Sequence, residues 1–206
     1  EIYDQVLDGQ GLARLDRPVL DAAVGWRSDG LTTVVKAYTW LGGPVGMPVL
    51  ATVVLVVLAW RWRSPEPVVL GAVAAAGSLL MTVVGKDAVG RARPPVVDAV
   101  PPVETSFSFP SGHALNAVAV AGIVAYLVLR RQHSPGGRVL TPVLAIVFAV
   151  LMGLSRVYLG HHWLTDVLVA WVLGLAWLTF VITAHRLYLT SRRAHHRHLA
   201  AHHGGG

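Results

Sequence analysis

The chain has 206 residues, 54% of them hydrophobic and only 14% charged, where a soluble domain of this size carries about a quarter charged residues. That balance excludes an ordinary water-soluble globule and makes a bilayer the expected solvent. The net charge of +6 is not a nucleic-acid footprint, because the basic residues gather at the ends of apolar runs and not along one polar face; with no cysteine, disulfides and thiolate metal sites are excluded as well.

Glu1 is followed by neither a basic n-region nor a short apolar h-region, so no signal peptide is visible. Residues 1–43 mix Asp, Arg and Gly with Leu, Val and Trp, and 15–24 and 31–40 read as short amphipathic helices lying at the membrane interface. Residues 44–60 are nearly uncharged and run into Arg61-Trp62-Arg63, the length and aromatic-basic flank of a first span. Pro65 and Pro67 punctuate a turn, and 68–84, rich in Ala, Gly and Ser, form a second span ending at Lys86. Residues 87–110 are polar, proline-rich and too irregular to cross hydrocarbon. Apolar runs at 114–129, 140–154 and 167–182 give three further spans, separated by a turn at Ser134-Pro135-Gly136-Gly137 and a polar insertion at 155–166.

The expected fold is therefore an all-α, integral-membrane helical bundle of about five spans. Residues 1–43 form an interfacial segment, 44–185 the embedded bundle, and 186–206 a basic, His-rich tail expected to be disordered. Alternation of the spans puts Lys86, Ser111, Arg156 and Asp166 on one side. Arg61, Arg63, Arg130, Arg131, Arg138 and the tail arginines fall on the other, which the positive-inside rule makes cytoplasmic. The same count starts residue 1 outside, so a sixth span is expected upstream.

Segments far apart in sequence thus bring cations, histidines and an acid to one rim: Lys86 with Arg93, then Pro110-Ser111-Gly112-His113, then Ser155-Arg156 through His162 to Asp166. Any one of these cations alone could simply snorkel to headgroups; together they ask for an anion such as phosphate. Ser111 stands where a loop becomes a helix, so free N–H groups and the positive end of the helix dipole face the rim. Gly112 admits close backbone approach and His113 adds a titratable imidazole. A plain N-cap accounts for Ser111 and Gly112 but not for His113. His162 and Asp166 share a helical face if the last helix begins near Trp163, and a carboxylate fixing one imidazole nitrogen makes the other a better nucleophile. Asp166 could equally serve the helix dipole. His161 has no such partner by spacing and reads either as interfacial packing or as a supporting contact behind the site.

Lys86 with six residues before Arg93-Pro94, Pro110-Ser111-Gly112-His113, and Ser155-Arg156 with five residues to His162 and three more to Asp166 together resemble the type 2 phosphatidic acid phosphatase superfamily, in order and over roughly residues 65–185. The resemblance implies a lipid phosphatase in which His162 attacks phosphorus and forms a phosphohistidine. His113 would protonate the leaving oxygen and then activate water, and Asp166 would orient His162. Lys86, Arg93, Ser111, Gly112 and Arg156 would bind the phosphoryl oxygens. No carboxylate pair for Mg²⁺ belongs to the pattern, so no metal and no cofactor is expected. The expected partners are a membrane lipid phosphate (a polyprenyl diphosphate such as undecaprenyl diphosphate, phosphatidic acid or phosphatidylglycerophosphate) and the bilayer, with no nucleic acid. The expected location is a bacterial plasma membrane with the site facing out. The oligomeric state is not readable, since small-residue stripes serve packing within and between chains alike. Vanadium-dependent haloperoxidases carry the same motifs but are soluble, which the long uncharged runs disfavour. A lipid transporter or binding protein would not need His162 and Asp166 at helical spacing.

Overall fold

Small residues decide which helix lies at the centre. Residues 112–129 are apolar all round and interleave Ala114, Ala117, Ala119, Gly122 and Ala125 with Leu and Val, a surface that lets neighbours approach from every side. In the computed structural model, which describes residues 11–203 and the side chains of 11–192, this segment is helix α5 (Gly112–Leu129). Around it stand α3 (Gly46–Trp62), α4 (Glu66–Val89), α6 (Pro135–Tyr158) and α7 (Leu164–His203). Two shorter helices, α1 (Asp16–Gly25) and α2 (Asp29–Trp40), precede them and pack on α6.

Helices α4, α5 and α6, and α7 through Arg192, are long and apolar enough to cross a membrane. The first expected span, α3, has 17 residues, about 25 Å at the α-helical rise, a little short of a ~30 Å hydrocarbon core. The outer faces of these helices expose Val53, Val57, Leu79, Val83, Ile146 and Phe180, the reverse of a soluble protein and the proper face toward lipid. The interior holds three layers. Ala114, Leu115, Val157, Val167 and Ala170 lie at the site end; Met47, Ala117, Val118, Val120, Ala149 and Met152 form the middle; Leu55, Leu70, Ala74, Ile123, Leu127 and Val181 lie at the far end.

Local signals explain the helix ends. The Ser134 hydroxyl accepts the Gly137 N–H (3.1 Å) with Pro135 at the first helical position, which starts α6 five residues before the apolar run. Helix α4 likewise runs on to Val89, and Gly90 closes it in the left-handed conformation (φ 61°). Lys86 thereby lies in the last helical turn. The basic segment expected to be disordered from residue 186 continues as helix to His203. Its Arg, Leu and Ala are good helix formers, and extending an existing helix adds one hydrogen bond per residue fixed. Residues 1–10 and 204–206 and the side chains of the tail histidines lie outside the described residues.

Candidate active site

The loop from Arg91 to Pro110 is what gathers the rim into a site. Gly90 turns the chain out of α4, and the two ends of the loop are tied by the Ser108 N–H on the Arg91 carbonyl (2.8 Å). A second tie, from the Val100 N–H to the Leu159 carbonyl (2.9 Å), holds the middle of the loop to the end of α6. Arg93 projects from this loop and donates to the Ser106 carbonyl (2.6 Å), the His161 carbonyl (2.5 Å) and the Ser106 hydroxyl (3.0 Å). Lys86, from the end of α4, donates to the Phe107 carbonyl, which also accepts from Arg93 at 3.3 Å. The two cations thus share one loop.

Arg156 comes from the last turn of α6 and is 2% exposed. Its guanidinium donates to the Thr39 hydroxyl (3.2 Å) and pairs with the Glu104 carboxylate, whose other oxygen lies 2.7 Å from Arg93. Two guanidiniums from separate elements therefore close on one anionic group. Burial pushes the Glu104 carboxyl up, but Arg156 and Arg93 outweigh it and hold it at about 2. Burial also lowers Arg93, against the pull of Glu104 and Asp166. The Arg156 Nε and the Ser111 hydroxyl are buried without a protein partner, and buried polar atoms of that kind mark places where a ligand oxygen can bind.

His162 is 1% exposed and precedes α7 by two residues. Its Nδ1 lies 3.5 Å from Asp166 Oδ2, with the Ser108 hydroxyl between them, 2.5 Å from the carboxylate and 3.4 Å from the ring. The carboxylate side favours a proton on Nδ1, which leaves the Nε2 lone pair facing the cradle, 3.3 Å from Arg93. Burial pushes His162 down to about 4 in spite of Asp166, so the imidazole is neutral at neutral pH. Asp166 is fully buried in the first turn of α7, and Oδ2 also accepts the Trp163 N–H (3.0 Å). One carboxylate oxygen thus meets both the N–H that precedes α7 and the His162 ring.

Ser111 occupies the N-cap position of α5 but makes no capping bond; its N–H donates to the Asp166 carbonyl (3.3 Å) instead. Gly112 opens α5 against α4, where an added Cβ would press on the Thr82 methyl at 3.0 Å. The close approach it permits in this structure is between helices. His113, half-buried, lies under the α2–α3 turn, within 3.7 Å of where a Cβ on Gly43 would stand, and Glu104 is within electrostatic reach of both His113 and His162. His161 is buried and donates through Nε2 to the Val100 carbonyl (2.8 Å); burial and the nearby Arg156 push it down. Its Nδ1 is buried without a hydrogen-bond partner, and its carbonyl is the one that accepts from Arg93.

Four participants are absent from the sequence reading: Arg91, Glu104, Ser108 and Asp16. Arg91 donates to Asp166 Oδ1 (2.6 Å) and to Asp16 (2.7 Å). Glu104 and Ser108 sit in the polar run 104–109, whose composition marks a loop but whose partners only the fold reveals.

The family model that matches residues 66–188 is that of the PAP2 superfamily. Phosphatidylglycerophosphatase B of Bacillus subtilis (strain 168) is 35% identical over 164 residues, 78% of each chain. An undecaprenyl-diphosphatase of Sulfolobus acidocaldarius is 41% identical over 80 residues, 39% of this chain and 34% of that one. The crystal structure of a transmembrane PAP2 type phosphatidylglycerolphosphate phosphatase from Bacillus subtilis superposes with a TM-score of 0.76 at 32% identity, covering 84% of this chain and 85% of that one. With the motif residues converging at one end of a membrane bundle, the chain belongs to the PAP2 superfamily, among its membrane-embedded lipid phosphatases.

Proposed function

We propose that the protein hydrolyses the phosphate monoester or diphosphate of a membrane lipid through a phosphohistidine, without a metal, on the extracytoplasmic face of a bacterial plasma membrane. One observation carries the reading: Arg93 and Arg156 meet on a single anion beside Nε2 of a neutral, buried His162, which faces Arg93. A phosphoryl group taking the place of the Glu104 carboxylate would have its equatorial oxygens on these guanidiniums, Lys86 and the Ser111 hydroxyl, donors aimed where charge develops.

In the first step the Nε2 lone pair of His162 forms the N–P bond as the P–O bond to the lipid breaks, and the His113 proton passes to the departing oxygen. In the second, His113 takes a proton from water, the water oxygen bonds phosphorus and the N–P bond breaks, so phosphate leaves and both histidines are restored. Asp166 stabilises the cation that forms on His162 during the attack. The names of the relatives make phosphatidylglycerophosphate and undecaprenyl diphosphate the first substrates to test, the former on the longer match, with phosphatidic acid as the third.

The test is phosphate release from these three lipids in detergent with excess EDTA, comparing the wild type with His162→Ala. Release that survives EDTA and is lost in the variant is expected, and the best lipid names the substrate. Wild-type rates in His162→Ala would remove the nucleophile, and loss of wild-type activity in EDTA would remove the metal-free mechanism.

A further inference from the structure

Asp16 is an acid in an amphipathic N-terminal helix, yet it is 4% exposed, and a buried carboxylate persists only where donors compensate it. Those donors lie about 75 and 149 positions away in sequence: Arg91 Nη2 at 2.7 Å, and the Thr165 N–H and hydroxyl at 2.8 and 2.7 Å. Arg91 spends its other terminal nitrogen on the Thr165 hydroxyl (2.8 Å) and on Asp166 Oδ1 (2.6 Å). The order in space is therefore Asp16, Arg91, Asp166, His162, and it joins α1 to the proposed nucleophile.

We infer that Asp16 and Arg91 are positioning residues for hydrolysis, holding the Asp166 carboxylate so that one oxygen alone is presented to His162. With Oδ1 fixed by Arg91, the carboxylate cannot rotate, and Oδ2 is left to Ser108, the Trp163 N–H and His162. Asp16 holds Arg91 from behind and anchors Thr165, the residue next to Asp166, through both backbone and side chain. Helix α1 is thus a wall of the active site and not only a surface helix. The Arg27 side chain at its C-terminal end strengthens this placement by donating to the Tyr158 carbonyl (2.6 Å) at the end of α6 and to the Asp98 carbonyl (2.8 Å). This inference rests on the role proposed above for Asp166.

The charges also give the two residues opposite effects on His162. The groups that face the His162–Asp166 pair are Asp16 from α1, Lys86 from α4, Arg91, Arg93, Glu104 and Ser108 from the loop, His113 from α5, Arg156 from α6 and His161 beside it. All except the replaced one stay in place in a single variant. Loss of the Arg91 charge makes the imidazolium easier to form, whereas loss of the Asp16 charge leaves Arg91 less compensated and makes it harder.

The experiment uses the full chain in detergent, with kcat and KM for the best lipid measured across pH for wild type, Asp16→Asn, Arg91→Gln and Arg91→Lys, each checked by gel filtration and thermal unfolding. Arg91→Gln is expected to lower kcat about 100-fold, the scale of a misplaced catalytic group, with KM changed less than about threefold. The acid limb of kcat/KM should move to higher pH in Arg91→Gln, to lower pH in Asp16→Asn, and stay at the wild-type position in Arg91→Lys. Folded Arg91→Gln and Asp16→Asn whose limbs do not move, whatever their kcat, would reduce the pair to a structural staple and overturn the inference. Should Arg91→Gln fail to fold, the limb position in Asp16→Asn decides in the same way. A wild type that releases no phosphate from any of the lipids overturns the proposed function instead, and this inference with it.

Discussion

Glu104 and His162 stand within one cluster of charge, yet burial moves them differently. The carboxyl has two guanidiniums against it and stays ionised down to about 2; the imidazole is buried beside one carboxylate and several cations and takes a proton only at about 4. Glu104 therefore keeps its charge wherever the enzyme works. The proposed nucleophile must be neutral, so activity is expected to be lost as pH falls through the His162 value. The expected result is a kcat/KM profile that is flat from neutral pH down to about pH 5 and falls tenfold per unit below about 4, read by phosphate release under conditions where unfolding is monitored in parallel. A limb near the ordinary histidine value of about 6.5 would mean that His162 is better solvated than its burial implies. At this scale the sequence offered Lys86, Arg93, Ser111, His113, Arg156, His162 and Asp166 as candidates, because they fall at fixed spacings within three short segments. Arg91 and Asp16 were illegible for a physical reason: an acid near the start of an amphipathic helix is ordinarily solvated, and only tertiary burial distinguishes this one.

Three of the long helices run past the apolar stretches that announced them. Residues 68–84, 140–154 and 167–182 delimited apolar runs, while α4, α6 and α7 extend past them into polar residues, because hydrogen bonding along the backbone continues after hydrophobicity ends. Those extra turns carry Lys86, Arg156 and Asp166. Helix contacts, by contrast, follow the small residues noted in the second span. Gly77 of α4 faces the Trp177 ring of α7, whose Nε1–H donates to the Ala74 carbonyl (3.2 Å). Gly77→Val has no space for its methyls without displacing that ring, and overpacking of this kind costs about 1–3 kcal/mol. A lower midpoint of thermal unfolding in detergent, with kcat little changed in the fraction that remains folded, is the expected outcome; an unchanged midpoint would show that α4 and α7 can part locally without cost.

The bundle as a whole has two unlike ends. One holds the site; the other holds Glu66 paired with Arg130 and 3.2 Å from His185, whose ring also meets the Tyr126 hydroxyl at 2.9 Å. With no native cysteine, orientation can be read directly by single cysteines at Ser106, in the site loop, and at Ser134, at the opposite end. In intact cells a membrane-impermeant maleimide should label Ser106→Cys and spare Ser134→Cys until the cells are opened; the reverse pattern would turn the protein over. The all-α bundle was legible because hydrocarbon tolerates so few backbone solutions, whereas the paths by which loop and α1 fold back over the helix ends are set by single polar contacts that no periodicity records. The site's position at the level of those ends, between a polar loop and lipid-facing helices, means that the two products enter different solvents. The lipid remainder stays dissolved in the bilayer, the phosphate is diluted into water, and the reverse reaction would require them to meet again at one narrow boundary.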